Sequence, residues 1–150
     1  MSDHILKSHN KSLLLYHIVC PAKYRRKIFT VEAEKTLKEV CVRIEACYEI
    51  HFIEIGADEN HVHFLIQSVP MLSVTSIVRI LKSITARELF RHKPEIKKML
   101  WGGHLWTSGY YVNTVGQYSN ERIIREYVKN QGKHYKQIYR GQLTLFDGLT

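Results

Sequence analysis

The sequence predicts an α+β fold of the ferredoxin-like type, with a four-stranded antiparallel sheet, helices on one face of the sheet, and one further C-terminal helix. The first observation behind this prediction is the order of the patterns along the chain: strand, helix, strand, strand, helix, strand, helix. The second is a short turn at residues 56–60, which joins two strands into a hairpin. The third is size, because 150 residues with 45% hydrophobic side chains suit one domain. We therefore expect a single domain over residues 1–150, with a C-terminal tail at 136–150.

The first half of the chain predicts a central strand and an amphipathic helix. The strand covers residues 12–20, and its continuous apolarity indicates a position covered on both faces of the sheet. Pro21 ends this strand. Thr30 is the predicted N-cap of a helix over residues 31–47, because its hydroxyl can accept a hydrogen bond from the first turn. The residues expected to face the sheet share one stripe of this helix: Val31, Leu37, Val40, Cys41, Ile44 and Tyr48.

The second half adds a hairpin, another amphipathic helix, an aromatic strand and a last helix. Alternation of polar and apolar residues indicates the strands, and proline and glycine mark the ends of elements. The predicted elements are strands at 49–56 and 61–69, a helix capped by Ser73 and running to His92, a strand at 103–113, and a helix that begins at 119 or 120 and stops at Gly132.

Charge is distributed unevenly along the chain, whose net charge is +8. Residues 1–70 carry nine Lys and Arg against nine Asp and Glu, whereas residues 71–150 carry thirteen against five. Such asymmetry favours a polyanionic partner, most simply nucleic acid, over an anionic membrane surface. A charge surplus that serves only solubility is the simpler alternative.

The three cysteines and the absence of long apolar runs predict a cellular compartment. Cys20, Cys41 and Cys47 are odd in number and form no C-x-x-C pair, so we expect buried thiols in a reducing cytosol. No apolar run reaches the length of a membrane span, and residues 1–4 lack the apolar core of a signal peptide. We expect a bacterial or archaeal cytoplasmic protein that associates with the nucleoid, with no membrane partner.

A His-x-His pattern in the strand at 61–69 is the first candidate for chemistry. Alternate residues of a strand face the same way, so His61 and His63 can share one cation across about 6.5 to 7 Å between their Cα atoms. Val62 and Phe64 then point into the core. The pattern alone is weak, because histidines alternate by chance on half-exposed strands.

The second candidate lies on the last predicted helix. Residues four apart stack on one face, so Tyr127 and Gln131 present a phenol and a neutral oxygen ligand together. If this face covers the histidines, a three-ligand metal site with an adjacent nucleophile results. The simpler alternative is that Tyr127 packs at the edge of the core, because it sits beside Ile123, Ile124 and Val128 at helical spacing.

The chain resembles the single-tyrosine HUH transposases of the insertion-sequence 200/605 group, which are named for a His, a bulky apolar residue and a His. The resemblance runs almost end to end and in order, which makes it far more specific than either motif alone. Four segments carry it: Tyr16-His17-Ile18-Val19 with Pro21-Ala22-Lys23-Tyr24-Arg25-Arg26; Glu59-Asn60-His61-Val62-His63-Phe64-Leu65; residues 105–116, from Leu-Trp-Thr to Thr-Val-Gly; and Ile124-Arg125-Glu126-Tyr127-Val128-Lys129-Asn130-Gln131.

This resemblance implies an enzyme that cuts and rejoins single-stranded DNA at hairpin-bearing element ends. It implies that Tyr127 forms a 5′-phosphotyrosine intermediate, and that His61, His63 and Gln131 hold Mg²⁺ or Mn²⁺. It also implies a homodimer with shared active sites. Whether Tyr127 serves the histidines of its own chain or of its partner stays open.

One position departs from the family pattern, because Asn60 stands where such proteins commonly have Asp before the first histidine. An Asp there can orient a ligand histidine by accepting its other N–H group. Asn60 can also accept, but without charge, so we expect it in the second shell of the metal with a lower metal affinity.

Basic side chains near the predicted site are candidates for holding DNA. Arg and Lys can bind phosphates and Tyr can stack on a base, although a solvated charge run is an equally good reading of the loop at 23–27. The candidates are Lys23, Tyr24, Arg25, Arg26, Arg79, Lys82 and Arg87.

The tail contains a further short pattern, Gln142-Leu143-Thr144-Leu145-Phe146. It resembles the Gln-Leu-x-Leu-Phe peptides with which bacterial replication and repair proteins dock into the sliding clamp. Leu145 and Phe146 would fill an apolar pocket, and the Gln142 amide would form hydrogen bonds. The competing expectation is that these five residues fold back as a final strand or pack on the body.

Three rival functions fit parts of the sequence. A domesticated relative that processes palindromes would keep the same catalytic residues. A non-catalytic nucleic-acid-binding module on the same fold would use Tyr127 only for packing. A metal-dependent phosphoesterase would need a water-activating base, for which the sequence shows no separate carboxylate cluster.

Overall fold

The computed structural model describes residues 14–58, 60–114 and 136–141. These residues form five strands and three helices. The strands are β1 (Leu14–Pro21), β2 (Ile50–Ala57), β3 (His61–Ser68), β4 (Tyr111–Thr114) and β5 (Lys136–Arg140). The helices are α1 (Val31–Cys47), α2 (Val74–His92) and α3 (Pro94–Met99), and short 3₁₀ turns cover Lys23–Arg25 and Trp101–Gly103.

The sheet is antiparallel, with strand order β4-β1-β3-β2-β5. Its first four strands have the ferredoxin-like order, in which β1 and β3 are central and the β2–β3 hairpin lies to one side. The predicted α+β fold is therefore confirmed. The antiparallel pairing of β1 with β3 aligns eight residue pairs, from Leu14 with Ser68 to Pro21 with His61.

Helices α1 and α2 pack on one face of the sheet and enclose the main apolar core. Both predicted caps form: the Thr30 hydroxyl accepts a hydrogen bond from the Ala33 N–H at 3.2 Å, and the Ser73 hydroxyl accepts one from the Ser76 N–H at 3.1 Å. Each cap satisfies a donor that the helix itself cannot pair. The largest buried side chains of this core are Phe52, Phe64, Ile18, Leu37, Ile44, Ile55 and Ile66.

The ends of α1 depart from the predicted stripe. Val31 is 70% exposed and Tyr48 is 37% exposed, because they stand at the first position and just beyond the last turn of the helix, outside the area that covers the sheet. Cys47 is also exposed, which corrects the expectation of three buried thiols. Cys20 and Cys41 are buried, and burial raises the pKa of both thiols, that of Cys20 to about 12.

The fifth strand was not predicted, because residues 136–140 were assigned to the tail. Strand β5 pairs with the outer edge of β2, and the Gly141 N–H then donates to the Ile53 carbonyl oxygen at 2.8 Å. A Cβ atom at Gly141 would lie 2.1 Å from the Phe52 carbonyl oxygen, so only glycine fits this close backbone approach. The sheet therefore has five strands instead of four.

The aromatic segment at 103–113 forms a strand only at its end. Trp106 is buried, stacks on Phe29 with ring centroids 5.6 Å apart, and donates from its indole N–H to the Thr85 hydroxyl of α2 at 2.9 Å. Its backbone makes a single bridge with Ala22. Because this anchor holds the segment against the end of β1, regular pairing with β1 begins only at Tyr111.

Two sequence predictions concern parts of the chain outside the described residues: the last helix and the tail beyond Gly141. Among the helices that the structure does describe, none combines the length and the apolarity that a membrane span requires.

Candidate active site

The two motif histidines lie on the second face of the sheet, which we define as the face opposite α1 and α2. Val62 and Phe64 are fully buried in the core, so the residues that alternate with them, His61 and His63, project the other way. Their ring centroids are 6.4 Å apart. The predicted orientation of the His-x-His pattern is thus the one that the structure has.

A third histidine joins them from β1. In the β1–β3 register, His17 is opposite Leu65 and Val19 is opposite His63. His17 is two residues from Val19, so its side chain is on the same face of the sheet as that of His63. The Nε2 atom of His17 is 3.3 Å from Nδ1 of His63, and the two rings stack with centroids 5.4 Å apart. His17 therefore fixes the ring orientation of His63.

A carboxylate lies between the two motif histidines. The Oδ2 atom of Asp58 is 3.7 Å from Nδ1 of His61 and 3.8 Å from Nε2 of His63. Asp58 is held in place because its backbone N–H donates to the His61 carbonyl oxygen at 3.0 Å across the tight turn. The turn of the hairpin thus brings one negative charge to both imidazoles.

Arg25 contacts the outer nitrogen of His61. Its Nη1 atom is 2.5 Å from Nε2 of His61. A guanidinium has N–H donors and no acceptor, so Nε2 must accept, and the ring proton of neutral His61 is on Nδ1, facing Asp58. This tautomer leaves the Nε2 lone pair directed outward, as in carboxylate–histidine–metal arrangements.

The electrostatics of the cluster favour neutral imidazoles. The pKa of His63 is lowered to about 4, first by burial and then by neighbouring His17, whereas Asp58 opposes the shift. Burial also lowers the pKa of His17. Since a metal binds the neutral ring, these histidines are in the ligating form at neutral pH.

The donors present fit part of the ligand set of a divalent cation. Imidazole nitrogens and a carboxylate oxygen are ligands that such ions accept, and the Asp58 carboxylate is within 4 Å of both histidines. Within residues 14–58, 60–114 and 136–141, however, no three His, Cys, Asp or Glu side chains form a complete metal site. Gln131 and Tyr127, the remaining predicted members, lie outside the described residues.

Asn60 is next to the cluster, but its described contacts are with the cationic loop. Its side-chain amide donates to the Arg25 carbonyl oxygen at 3.5 Å, and its own carbonyl accepts from the Ala22 N–H at 2.8 Å. The negative charge near the two histidines belongs to Asp58, two residues earlier.

The cationic loop borders the cluster. Lys23, Tyr24 and Arg25 form a 3₁₀ turn, and Tyr24, Arg25 and Arg26 are exposed. The Lys23 ammonium is 5.4 Å from the centre of the Tyr24 ring. The backbone N–H of Lys23 donates to the Leu105 carbonyl oxygen at 2.8 Å. Four of the predicted DNA-binding residues are therefore grouped beside the histidines.

The three candidates on α2 are not grouped in this way. Arg79 lines a groove of about 400 Å³ with His104 and the backbone near Trp106. Lys82 donates to the carbonyl oxygens of Thr107 at 2.8 Å and Gly109 at 2.9 Å, so its ammonium holds the segment that leads into β4.

Arg87 lines a different groove, of about 230 Å³, between α1 and α2. There its Nε atom is 3.6 Å from Oε2 of Glu88, and the other carboxylate oxygen of Glu88, Oε1, accepts a hydrogen bond from Nη1 of Arg43 at 3.3 Å. Arg79, Lys82 and Arg87 thus have three different environments.

His17 and Asp58 are the site residues that sequence reasoning missed. His17 is the one basic side chain in an otherwise apolar run at 13–20, and the predicted ferredoxin-like order already placed β1 beside β3. Asp58 stood in a turn, where acidic residues are common without any catalytic reason. Only the register and the shape of the turn reveal their distances to the histidines.

Comparisons with known proteins identify the family of the chain. Residues 10–131 match the family described as "Transposase IS200 like". The chain belongs to the IS200-like transposase family. The ISDra2 transposase TnpA of Deinococcus radiodurans is 31% identical over 118 residues, which cover 79% of this chain and 84% of that protein. The transposase for insertion sequence element IS200 of Salmonella typhimurium is 29% identical over 131 residues, covering 87% and 85%.

Solved structures resemble the fold as well. The crystal structure of a candidate transposase from Deinococcus radiodurans R1 has a TM-score of 0.65 at 29% identity, covering 79% of this chain and 91% of that one. A REP-associated tyrosine transposase bound to a REP hairpin has a TM-score of 0.52 at 12% identity, covering 81% and 68%. The second likeness concerns the fold alone.

Membership of this family establishes the coarse function of the IS200-like chain. It is a transposase, an enzyme that cleaves DNA during transposition. The rival interpretation as a non-catalytic binding module on the same fold is not favoured.

The lowered pKa of His63 predicts how stability depends on pH. Between its ordinary value of 6.5 and about 4, the unfolded chain binds a proton that the folded chain does not. The free energy of unfolding is therefore expected to fall as pH decreases through this window, with a contribution from His63 of at most about 1.4 kcal/mol per pH unit. In His63→Gln, the free energy of unfolding, measured with urea from pH 7 to pH 4.5, should decrease less steeply with decreasing pH.

His104→Gln is the control for this titration, because it removes a histidine at an exposed position away from the cluster. Its slope should match that of the unmodified chain. An equal slope in His63→Gln and His104→Gln would contradict the prediction.

Proposed function

We propose that the chain cuts and rejoins single-stranded DNA at hairpin-bearing element ends through a 5′-phosphotyrosine on Tyr127. The observation that carries this proposal is the cluster of His61, His63 and Asp58 on the second face of the sheet, beside a cationic loop. Its neutral imidazoles suit a divalent cation, and the exposed arginines suit a phosphate chain. Membership of the IS200-like family and a fold neighbour solved with a hairpin are consistent with this chemistry.

Tyr127 reacts as a phenolate in this proposal. Its oxygen attacks the scissile phosphorus, the bond to the 3′ oxygen breaks, and the DNA 5′ phosphate remains on the tyrosine. The leaving strand takes up a proton as a 3′-hydroxyl. A 3′-hydroxyl of another DNA end then attacks the phosphotyrosine and releases the phenolate, so one phosphodiester is exchanged for another without a nucleotide cofactor.

His61, His63 and Gln131 would hold Mg²⁺ or Mn²⁺. When bound, the ion polarises the scissile phosphate and lowers the pKa of the attacking phenol. His17 keeps the His63 ring in place by the 3.3 Å contact between them, and Asp58 faces the N–H group of His61. These two residues position the ligands and touch no substrate.

The cationic loop would hold the strand close to this cluster. Tyr24 is 57% exposed and can stack on an unpaired base, and Arg25 and Arg26 can bind phosphates. A paired duplex presents no free base face to Tyr24, so this surface favours single-stranded substrate. Arg79, which lines a groove with His104, would bind another phosphate of the same DNA.

The first test removes only the phenol oxygen of Tyr127. Tyr127→Phe is expected to form no covalent adduct with single-stranded DNA from the element end, because the nucleophile is absent while the ring remains. Binding of the same DNA should be within about twofold of the unmodified chain. Denaturing gels measure the adduct, and fluorescence anisotropy measures binding.

His61→Ala and His63→Ala complete this experiment. Each should abolish Mn²⁺-dependent cleavage while hairpin binding persists. An adduct of full yield from Tyr127→Phe would remove Tyr127 from its role, and undiminished cleavage by both histidine variants would remove the metal assignment.

The proposed oligomer is a homodimer. Within the described residues, β4 pairs with β1 on one side only, and Tyr111 and Val112 on this strand are exposed. Such an edge is suited to association with a second copy. We expect sedimentation at micromolar concentration to give a species of twice 17.6 kDa. A 17.6 kDa species alone, with and without DNA, would exclude the dimer.

The proposed partner of the tail is the bacterial sliding clamp. The chain leaves β5 at Gly141, whose backbone is fastened to Ile53, so the motif of Gln142, Leu145 and Phe146 begins next to a fixed point. Docking to the clamp would bring the enzyme to replication forks, where template DNA is transiently single-stranded.

A titration of purified clamp against the full chain tests this docking. The double substitution Leu145→Ala, Phe146→Ala should abolish binding, whereas Thr144→Ala, at the variable position of the motif, should leave it unchanged. Equal binding by the double variant and the unmodified chain would exclude the tail as the docking element.

A further inference from the structure

Arg25 contacts Nε2 of His61, the ring nitrogen that does not face Asp58 and that carries the lone pair in the tautomer described above. Its Nη1 atom is 2.5 Å from Nε2, and the guanidinium can only donate. An imidazole nitrogen has one lone pair in the ring plane. Arg25 and a divalent cation therefore cannot use Nε2 of His61 at the same time, and their positive charges also repel each other.

The backbone of the loop is built to hold Arg25 at this place. Tyr24 has φ of 59° and Arg25 has φ of 54°, so two consecutive non-glycine residues are left-handed. This conformation costs on the order of 1 kcal/mol for each residue. The cost is offset by bonds that tie the loop to its neighbours, among them the Ala22 N–H to the Asn60 oxygen and the Lys23 N–H to the Leu105 oxygen, both at 2.8 Å.

Asn60 adds a bond directly to this arginine. Its amide donates to the Arg25 carbonyl oxygen, and its position next to His61 links the loop to the histidine strand. The guanidinium itself is exposed, so it can leave His61 by rotation of its own side chain while the backbone stays in place. The loop thus fixes the backbone of Arg25, while the guanidinium can exchange one partner for another.

We propose that Arg25 is an exchangeable cap on His61, which blocks this metal-ligating nitrogen in the DNA-free protein and releases it when the guanidinium moves to a DNA phosphate. A charged phosphate oxygen is a stronger partner for a guanidinium than a neutral imidazole is, because it allows paired, charge-assisted hydrogen bonds. DNA and metal binding are then coupled through one side chain. This inference rests on the proposed metal-dependent cleavage of DNA, and it adds that DNA binds before the metal site is complete.

The test measures Mn²⁺ binding to the DNA-free full chain by calorimetry. Arg25→Gln removes the guanidinium and is expected to tighten Mn²⁺ binding about tenfold, the equivalent of one charged hydrogen bond of about 1.4 kcal/mol. Arg26→Gln removes the same charge from the adjacent exposed residue and should change the affinity less than twofold. This control separates competition at His61 from the general loss of a positive charge.

Two further readouts distinguish the cap from a change in folding. The ¹⁵N resonance of His61 Nε2 should shift in Arg25→Gln and stay in place in Arg26→Gln. Single-turnover DNA cleavage at saturating Mn²⁺ should be slower in Arg25→Gln, because the phosphate has lost its partner. Metal affinity and cleavage therefore move in opposite directions in one variant.

Unchanged or weaker Mn²⁺ binding by Arg25→Gln overturns the inference, and so does the absence of Mn²⁺ binding in every variant. The covalent adduct of Tyr127 is measured separately on the unmodified chain. If the adduct forms but the affinity is unchanged in Arg25→Gln, the proposed function stands and only the cap is wrong. If no adduct forms, the proposed function itself fails.

Discussion

The antiparallel pairing of β1 with β3 is the constraint on which the site depends. It sets Ile18 opposite Phe64 on the core face and Val19 opposite His63 on the second face. A slip of one residue would turn the histidines into the apolar core and the core residues outward. The free energy of burying the apolar face therefore fixes the positions of His17, His61 and His63, although none of the three contributes to the main apolar core.

The hairpin turn and the loop after β1 supply the charges around these imidazoles. Asp58 lies between His61 and His63, while Arg25 is on the opposite side of the His61 ring. Burial lowers the pKa of His63 and of His17, which favours the neutral form of these two rings. The same few residues thus bring two imidazoles, a carboxylate and a guanidinium together in one cluster.

Packing also decides which basic residues are available to DNA. Lys82 is committed to two backbone carbonyls that precede β4, whereas the side chain of Arg87, next to Glu88, is 71% exposed. The exposed loop at 23–26 and Arg79 keep positions from which a phosphate chain can be reached. Lysine and arginine counts in a sequence therefore overstate the surface that can hold a nucleic acid.

The sequence by itself determined the α+β fold, both helix caps, the core-facing Val62 and Phe64, and the common face of His61 and His63. These features follow from local periodicity and from hydroxyl chemistry at helix starts, which act within a few residues. Only the tertiary structure decided the fifth strand, the exposure of Val31 and Cys47, the contact of His17 with His63, and the meeting of Arg25 and Asp58 at His61. Each of these depends on the register between distant segments or on the shape of a turn, because side chains far apart in sequence have no periodic relation to one another until the sheet is formed.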